Sequence, residues 1–295
     1  MPEGSVDDGR NAAPSPRARP RSDGAEARVA GPAAMKRPPF VLAIGGLDPS
    51  CGAGIVADAR TLERLEVMPL AVATAVTVQS GGGVRATHPV PVPQVTAQLR
   101  ELLRAFPASA IKIGQVPSAA CAAALAATLR PLTARVPLVL DPVLRASGGG
   151  ELAGPAAARA ILARLLPLAA VVTVNLDEAA VLTGMAVRDV DGMSAAARRL
   201  SSRTTGAIVI KGGHLRGQPL DMLLHEGCER IFRGTRLRGS MHGTGCAFAS
   251  AMAAALARGM SVEAALVGAR KHVRELLTHA VTAGGARLRA PRRVR

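Results

Sequence analysis

Short runs of Val, Ile and Leu alternate along this chain with Ala-rich stretches of helical length, and the alternation predicts an α/β fold with a mainly parallel sheet. Two further observations bear on the core. Hydrophobic residues make up 48% of 295, enough for one large core or two modest ones. There are four Phe and neither Tyr nor Trp, so the core must be aliphatic.

The elements follow in order. Residues 1–37, rich in Pro, Ala, Gly, Arg and Ser, offer almost nothing to bury and read as a disordered extension. Met35 stands just before the first strand, so translation beginning there is one reading of the N-terminus. Residues 40–46 read as a buried strand, followed by a Gly/Pro/Ser loop and a helix over about 53–65. A second strand covers 70–78. After Pro93, the residues Val95, Leu99, Leu102, Leu103 and Phe106 fall on one face of an amphipathic helix. Buried strands over 110–113, 138–140, 171–174 and 208–210 are separated by helical segments, and 222–224 with 231–232 predict a hairpin. Residues 249–257 are apolar on every face, which requires a buried helix. Ser261 caps a last helix whose Leu266, Ala269, Val273 and Leu276 share a face. No repeat or linker interrupts 38–280, read as one domain, and 281–295 reads as a basic tail.

Ligands of parallel sheets bind beyond the carboxyl ends of the strands, so the polar residues following each apolar run are the candidates for chemistry. Gly243-Thr244-Gly245-Cys246 is a small-residue loop entering the apolar helix. Unpartnered N–H groups and the helix dipole there favour an anion, and the same field favours thiolate at Cys246. Taken alone, such a turn is more often a tight connection. Gly46 to Gly54 form a loop after the first strand, and Asp58 follows one helical turn on. Asp58 suits orientation of a hydroxyl or an amine; its alternative is a solvated carboxylate. Gln79 ends the second strand, and its amide sets a donor beside an acceptor, as an aminopyrimidine-like edge requires. Its commoner role is to satisfy loop backbone. Asp141 and Glu178 are candidate magnesium ligands, directly or through water, since this hard ion prefers oxygen and keeps much of its hydration. Asn175 and Glu178 read equally well as a helix cap and a first-turn charge. Lys211 ends a strand and can reach a phosphate as a point charge. His88, His214, His225, His242, His272 and His279 lack metal-ligand spacing and read as structural or surface groups.

The order of these motifs resembles the hydroxymethylpyrimidine and phosphomethylpyrimidine kinases of thiamine biosynthesis, within the ribokinase-like superfamily, over roughly residues 40–280. Gly-Leu-Asp-Pro-Ser-Cys-Gly-Ala-Gly-Ile at 46–55 looks like that family's opening motif and His-Gly-Thr-Gly-Cys at 242–246 like its closing one. Lys112-Ile113-Gly114, Asp141-Pro142-Val143-Leu144, Asn175-Leu176-Asp177-Glu178 and Lys211-Gly212-Gly213-His214 stand between them. The resemblance implies a three-layer sandwich and an ATP- and Mg2+-dependent kinase acting on an aminopyrimidine alcohol or its phosphate. It places Gly46, Asp58, Gln79 and Val143 around the pyrimidine, Gly243, Thr244, Gly245 and Cys246 around the transferring phosphoryl, and Lys211 on the nucleotide phosphates. Asn175 and Glu178 match an Asn-x-x-Glu element that arranges magnesium and phosphate. A homodimer is compatible with it. Against the family pattern, Cys51 replaces a usual glycine, Gln115 a usual methionine, residues 145–148 lack an expected lysine, and the tail lacks a Gly/His-rich ending. A pyridoxal- or pyridoxine-type kinase and a non-catalytic pyrimidine-binding protein are the alternatives.

The net charge of +16 raises nucleic acid as a partner. Scattered arginines, with four Phe the only aromatic rings available for base stacking, argue against it and favour small anionic substrates. The four cysteines form no C-x-x-C pair and no disulfide framework. Without a long apolar run or a signal peptide, the expectation is a soluble cytoplasmic protein with no membrane contact.

Overall fold

The computed structural model describes residues 38–80, 83–146, 148–215, 217–237, 239, 241–283, 286–288 and 290. The expected N-terminal extension, 1–37, lies outside them. Nine strands form one sheet: β1 (Phe40–Leu47), β2 (Met68–Ser80), β3 (Gly83–Pro89), β4 (Ala108–Ile113), β5 (Leu138–Leu140), β6 (Val171–Asn175), β7 (Ala207–Gly212), β8 (Leu220–His225) and β9 (Cys228–Arg233). Their order is β3-β2-β1-β4-β5-β6-β7-β8-β9. The six from β2 to β7 in that order run parallel, while β3, β8 and β9 are added antiparallel at the edges.

Successive side chains of the central strands point to opposite faces, and both faces are apolar. Leu42, Ile44, Ile111, Ile113, Leu138, Leu140, Val172, Val174, Ile208 and Ile210 face one layer of helices. That layer holds α2 (Val92–Ala105), α3 (Ala119–Leu129), α4 (Pro155–Ala160), α5 (Leu176–Thr183) and α6 (Val190–Ser201). Their alternates Val41, Ala43, Ala110, Val139, Val171 and Val209 face α1 (Gly54–Arg64), α7 (Thr244–Ala257) and α8 (Val262–Thr278). The result is the three-layer sandwich expected. Helix α7 is buried from Cys246 to Ala255, as its uniform apolarity requires, and its alanines bring it close to the sheet.

Two segments depart from expectation. Strand β3 was not anticipated, because Gly83-Val84-Arg85-Ala86-Thr87-His88-Pro89 carries little apolar alternation and owes its form to antiparallel pairing with β2. The supposed basic tail begins instead with a hairpin, β10 (Val281–Ala283) and β11 (Ala286–Leu288), and His242 N donates to Arg287 O at 3.4 Å. No helix among the described residues is long and apolar enough to cross a membrane.

Candidate active site

An open cleft of about 690 Å3 lies over the carboxyl ends of the parallel strands and the first turn of α7. Two irregularities in the sheet shape it. The β1–β2 register shifts between Gly45 and Gly46, and the β2–β3 register shifts between Val78 and Gln79. A bulge re-aims the neighbouring side chain, and Gly46 and Gln79 both line the cleft.

At one end the chain enters α7 through Gly243, whose φ of 80° is left-handed. A β-carbon there would lie 1.9 Å from Gly52 O, so only glycine lets the opening and closing loops meet. Gly243, Gly245 and Cys246 line the cleft; Thr244, the first helical residue, does not. Cys246 sits in the first turn as expected, but burial pushes its thiol up to about 11, against the pull of Lys112. The expectation that the helix field favours thiolate is therefore corrected: desolvation outweighs it.

Two lysines stand in the same wall. Lys112 Nζ donates to Asp58 Oδ2 at 2.8 Å, and Ser250 Oγ donates to Asp58 Oδ1 at 2.8 Å. Asp58 is wholly buried behind Lys112 and does not line the cleft, so neither direct substrate contact nor a solvated helix face describes it. Burial pushes its carboxyl up, against the pull of the Lys112 ammonium and the Ser250 hydroxyl, while Asp58 in turn holds the Lys112 ammonium up against its own burial. Lys211 Nζ donates to Asp141 Oδ1 at 2.8 Å, and Thr173 Oγ1 reaches the same oxygen at 3.0 Å. Despite burial, Lys211 and Lys112 hold the Asp141 carboxyl below its ordinary range. Asn175 and Glu178 form a capping box: Glu178 N donates to Asn175 Oδ1 and Asn175 N to Glu178 Oε2, both at 2.8 Å. Both also line the cleft. Burial raises the Glu178 carboxyl to about 7, against the pull of Lys211.

The other end is built on a carboxylate that sequence reasoning passed over. Asp48 accepts from Ser50 N and Ala53 N at 2.8 and 2.9 Å, and from Ser50 Oγ. His242 Nε2 lies 2.8 Å from Asp48 Oδ2 and 3.2 Å from Gln79 Nε2. Burial opposes charge on Asp48, yet hydrogen bonds from His242, Ser50 and Gln79 hold it well below the usual carboxylate range. His242 was grouped with structural or surface histidines; the structure puts it in the cleft wall. The usable signal was its position immediately before the glycine loop. Gly46, Gln79 and Val143 line the cleft as expected, together with Gln115, Lys112 and Arg145. Gln79, Asp141, Asn175, Lys211 and Cys246 are thus brought together from five separate segments; Asp58 and Thr244 are not.

The family model for phosphomethylpyrimidine kinase matches residues 48–289. A hydroxymethylpyrimidine/phosphomethylpyrimidine kinase of Mycobacterium bovis is 40% identical over 250 residues, covering 84% of this chain and 91% of its own. The phosphomethylpyrimidine kinase of Clostridium difficile superposes with a TM-score of 0.71 at 29% identity, over 80% of this chain and 98% of that one. Pyridoxal kinase from Staphylococcus aureus, in complex with pyridoxal, gives 0.79 at 27% identity over 86% and 93%. Fold alone is thus shared with both kinds of kinase, whereas the sequence relationship favours one, and the chain belongs to the phosphomethylpyrimidine kinase family.

Proposed function

We propose that the protein transfers the terminal phosphoryl group of ATP to the hydroxymethyl oxygen of 4-amino-5-hydroxymethyl-2-methylpyrimidine, and then phosphorylates the resulting monophosphate, in thiamine biosynthesis. The observation that carries this reading is the cleft's two-ended chemistry. A helix N-terminus and two lysines line it for an anion, and Gly46, Gln79 and Val143 line it for a polar ring. Phosphoryl transfer needs chiefly positioning and neutralisation of charge. Backbone N–H groups from Gly243 to Cys246 would receive the transferring group, with Lys112 close by. Lys211 would exchange part of its hold on Asp141 for a nucleotide phosphate. Gln79 would read the amino edge of the ring between Gly46 and Val143. Cys246, in the first turn of that helix, would take the hydroxyl proton.

Asp141 and Glu178 each keep one carboxylate oxygen outside the contacts described, which suits a magnesium ion held mostly by water and phosphate. No cluster of three or more His, Cys, Asp or Glu side chains able to hold a metal occurs among the described residues, so a dedicated protein cage is not the fit. When bound, magnesium would supply charge neutralisation on the phosphates.

The decisive test is ADP release with ATP, magnesium and the aminopyrimidine alcohol, compared with pyridoxal as acceptor. A higher kcat/KM for the pyrimidine is expected. No ADP with it would refute the assignment. A preference for pyridoxal would establish the second reading, which the Staphylococcus superposition motivates.

A further inference from the structure

The parallel strands follow one another as β2-β1-β4-β5-β6-β7, with β8 beyond. Gly46 and Gln79 belong to β1 and β2 and Val143 follows β5, whereas Lys211 belongs to β7. With the ring at the first three and the transferring phosphoryl at the start of α7, the rest of the nucleotide extends past Lys211, towards β8. That path meets residues 213–219, the loop joining β7 to β8, which lie just outside the cleft lining.

The loop has little of its own to hold it. Gly213 and Gly217 have open space where a β-carbon would be, and Gly217 has a φ of 82°. Glycines make such a segment costly to order. Leu215 anchors it by a buried side chain and by its N–H, which donates to Gly212 O at 3.0 Å. At the start of the loop Gly212 N donates to Asp221 Oδ1 at 3.2 Å, and Arg270 Nη1 holds Asp221 Oδ2 at 3.0 Å.

Arg236 does the rest. It stands between β9 and α7, on a segment brought alongside the loop where Gly234 N donates to Pro219 O at 2.9 Å. Its Nη1 donates to Gly213 O at 3.0 Å, its Nη2 to Leu215 O and to Gly217 O, and its Nε to Gly217 O at 3.2 Å. Alternate carbonyls of one loop thus converge on one guanidinium. A planar fork with fixed donor directions imposes that shape, whereas an ammonium is a single point. None of these acceptors is a carboxylate, so the charge of Arg236 is not cancelled where it sits. Carbonyl oxygens repel phosphate, and here they are drawn away onto a cation. The N–H groups of Gly213 and His214, by contrast, have no backbone partner among the described residues.

We infer that Arg236 is a positioning residue for the nucleotide: by gathering the carbonyls of Gly213, Leu215 and Gly217 it shapes the β7–β8 loop into a surface that accepts the polyphosphate beyond Lys211. The inference rests on the ATP-dependent kinase reading above and deepens it. Arg236 acts through the loop, so its loss should weaken nucleotide binding and leave both the chemical step and the pyrimidine alone.

The test makes Arg236→Ala and Arg236→Lys in the full chain. It measures ADP release against ATP concentration, and calorimetric binding of magnesium ATP and of 4-amino-5-hydroxymethyl-2-methylpyrimidine separately. Arg236→Ala should bind ATP about tenfold or more weakly, with a matching rise in KM for ATP, kcat within about twofold of wild type and pyrimidine binding unchanged. Arg236→Lys keeps the charge without the fork and should fall between wild type and Arg236→Ala. Unchanged ATP binding in Arg236→Ala overturns the inference. So does equal weakening of ATP and pyrimidine binding, the result of a generally loosened fold, and so does an Arg236→Lys variant that matches wild type. ATP binding that Arg236→Ala weakens, in a protein that does not phosphorylate the pyrimidine, would refute the proposed acceptor while supporting this inference. Failure of wild type to bind ATP would overturn both.

Discussion

Cys246 and Glu178 show how burial resets side-chain chemistry. With its thiol pushed up to about 11, Cys246 is protonated at neutral pH. If it takes the substrate proton, the active form grows tenfold per pH unit, and kcat should rise with unit slope through the neutral range. Cys246→Ser should then remove that slope with about 100-fold or more of the rate, and Cys246→Asp, ionised at neutral pH, should flatten the profile. Full activity and an unchanged profile in both variants would end the proton-transfer role. Glu178 is raised to about 7 from 4.5, so between those values this group binds more protons in the folded protein than in the unfolded chain, and its contribution to stability falls as pH rises. Glu178→Gln keeps the capping geometry but should remove about 3 kcal/mol of that dependence in denaturant titrations across pH 4.5 to 7. Cys51 holds a left-handed φ of 57° without being glycine. Cys51→Gly should stabilise the protein by roughly 0.5–1 kcal/mol, read as a higher midpoint in urea.

Elements set by long apolar patterns were legible, and those set by partners were not. The central strands and the helix over 249–257 follow from Val, Ile, Leu and Ala alone, because burial on both faces leaves no alternative. Strand β3 and the β10–β11 hairpin were missed for a common reason: short, polar or Gly-containing segments take strand form only through the chain they pair with. The junction into α7 is the most sharply constrained element boundary. Gly243→Ala would force both a left-handed φ and a collision with Gly52 O, and it should cost more than about 2 kcal/mol. Activity should fall with it, since the opening and closing loops share that contact. Normal thermal stability in this variant would show that the junction adapts.

Across the whole molecule, the site was readable where residues follow strands and opaque where distant segments meet. Lys211, Gln79 and Asn175 could be found from their positions alone. Asp48 and His242 are 194 residues apart, and nothing local announces that they touch. The burial of Asp58 was equally invisible, because it depends on Ser250 and Lys112 arriving from α7 and β4. A net charge of +16 predicts that kcat/KM for the anionic monophosphate falls more steeply with salt than for the neutral alcohol, by roughly threefold between 0.01 and 0.15 M. Identical salt curves would exclude electrostatic steering. The layering also has a bearing on biosynthesis. One face of the sheet, Val41, Ala43, Ala110, Val139, Val171 and Val209, is covered largely by α7 and α8, which follow every strand of that sheet along the chain. On the ribosome, that greasy surface stays bare until α7 and α8 have followed the strands out, so the nascent protein is a natural client for chaperones that shield exposed strands.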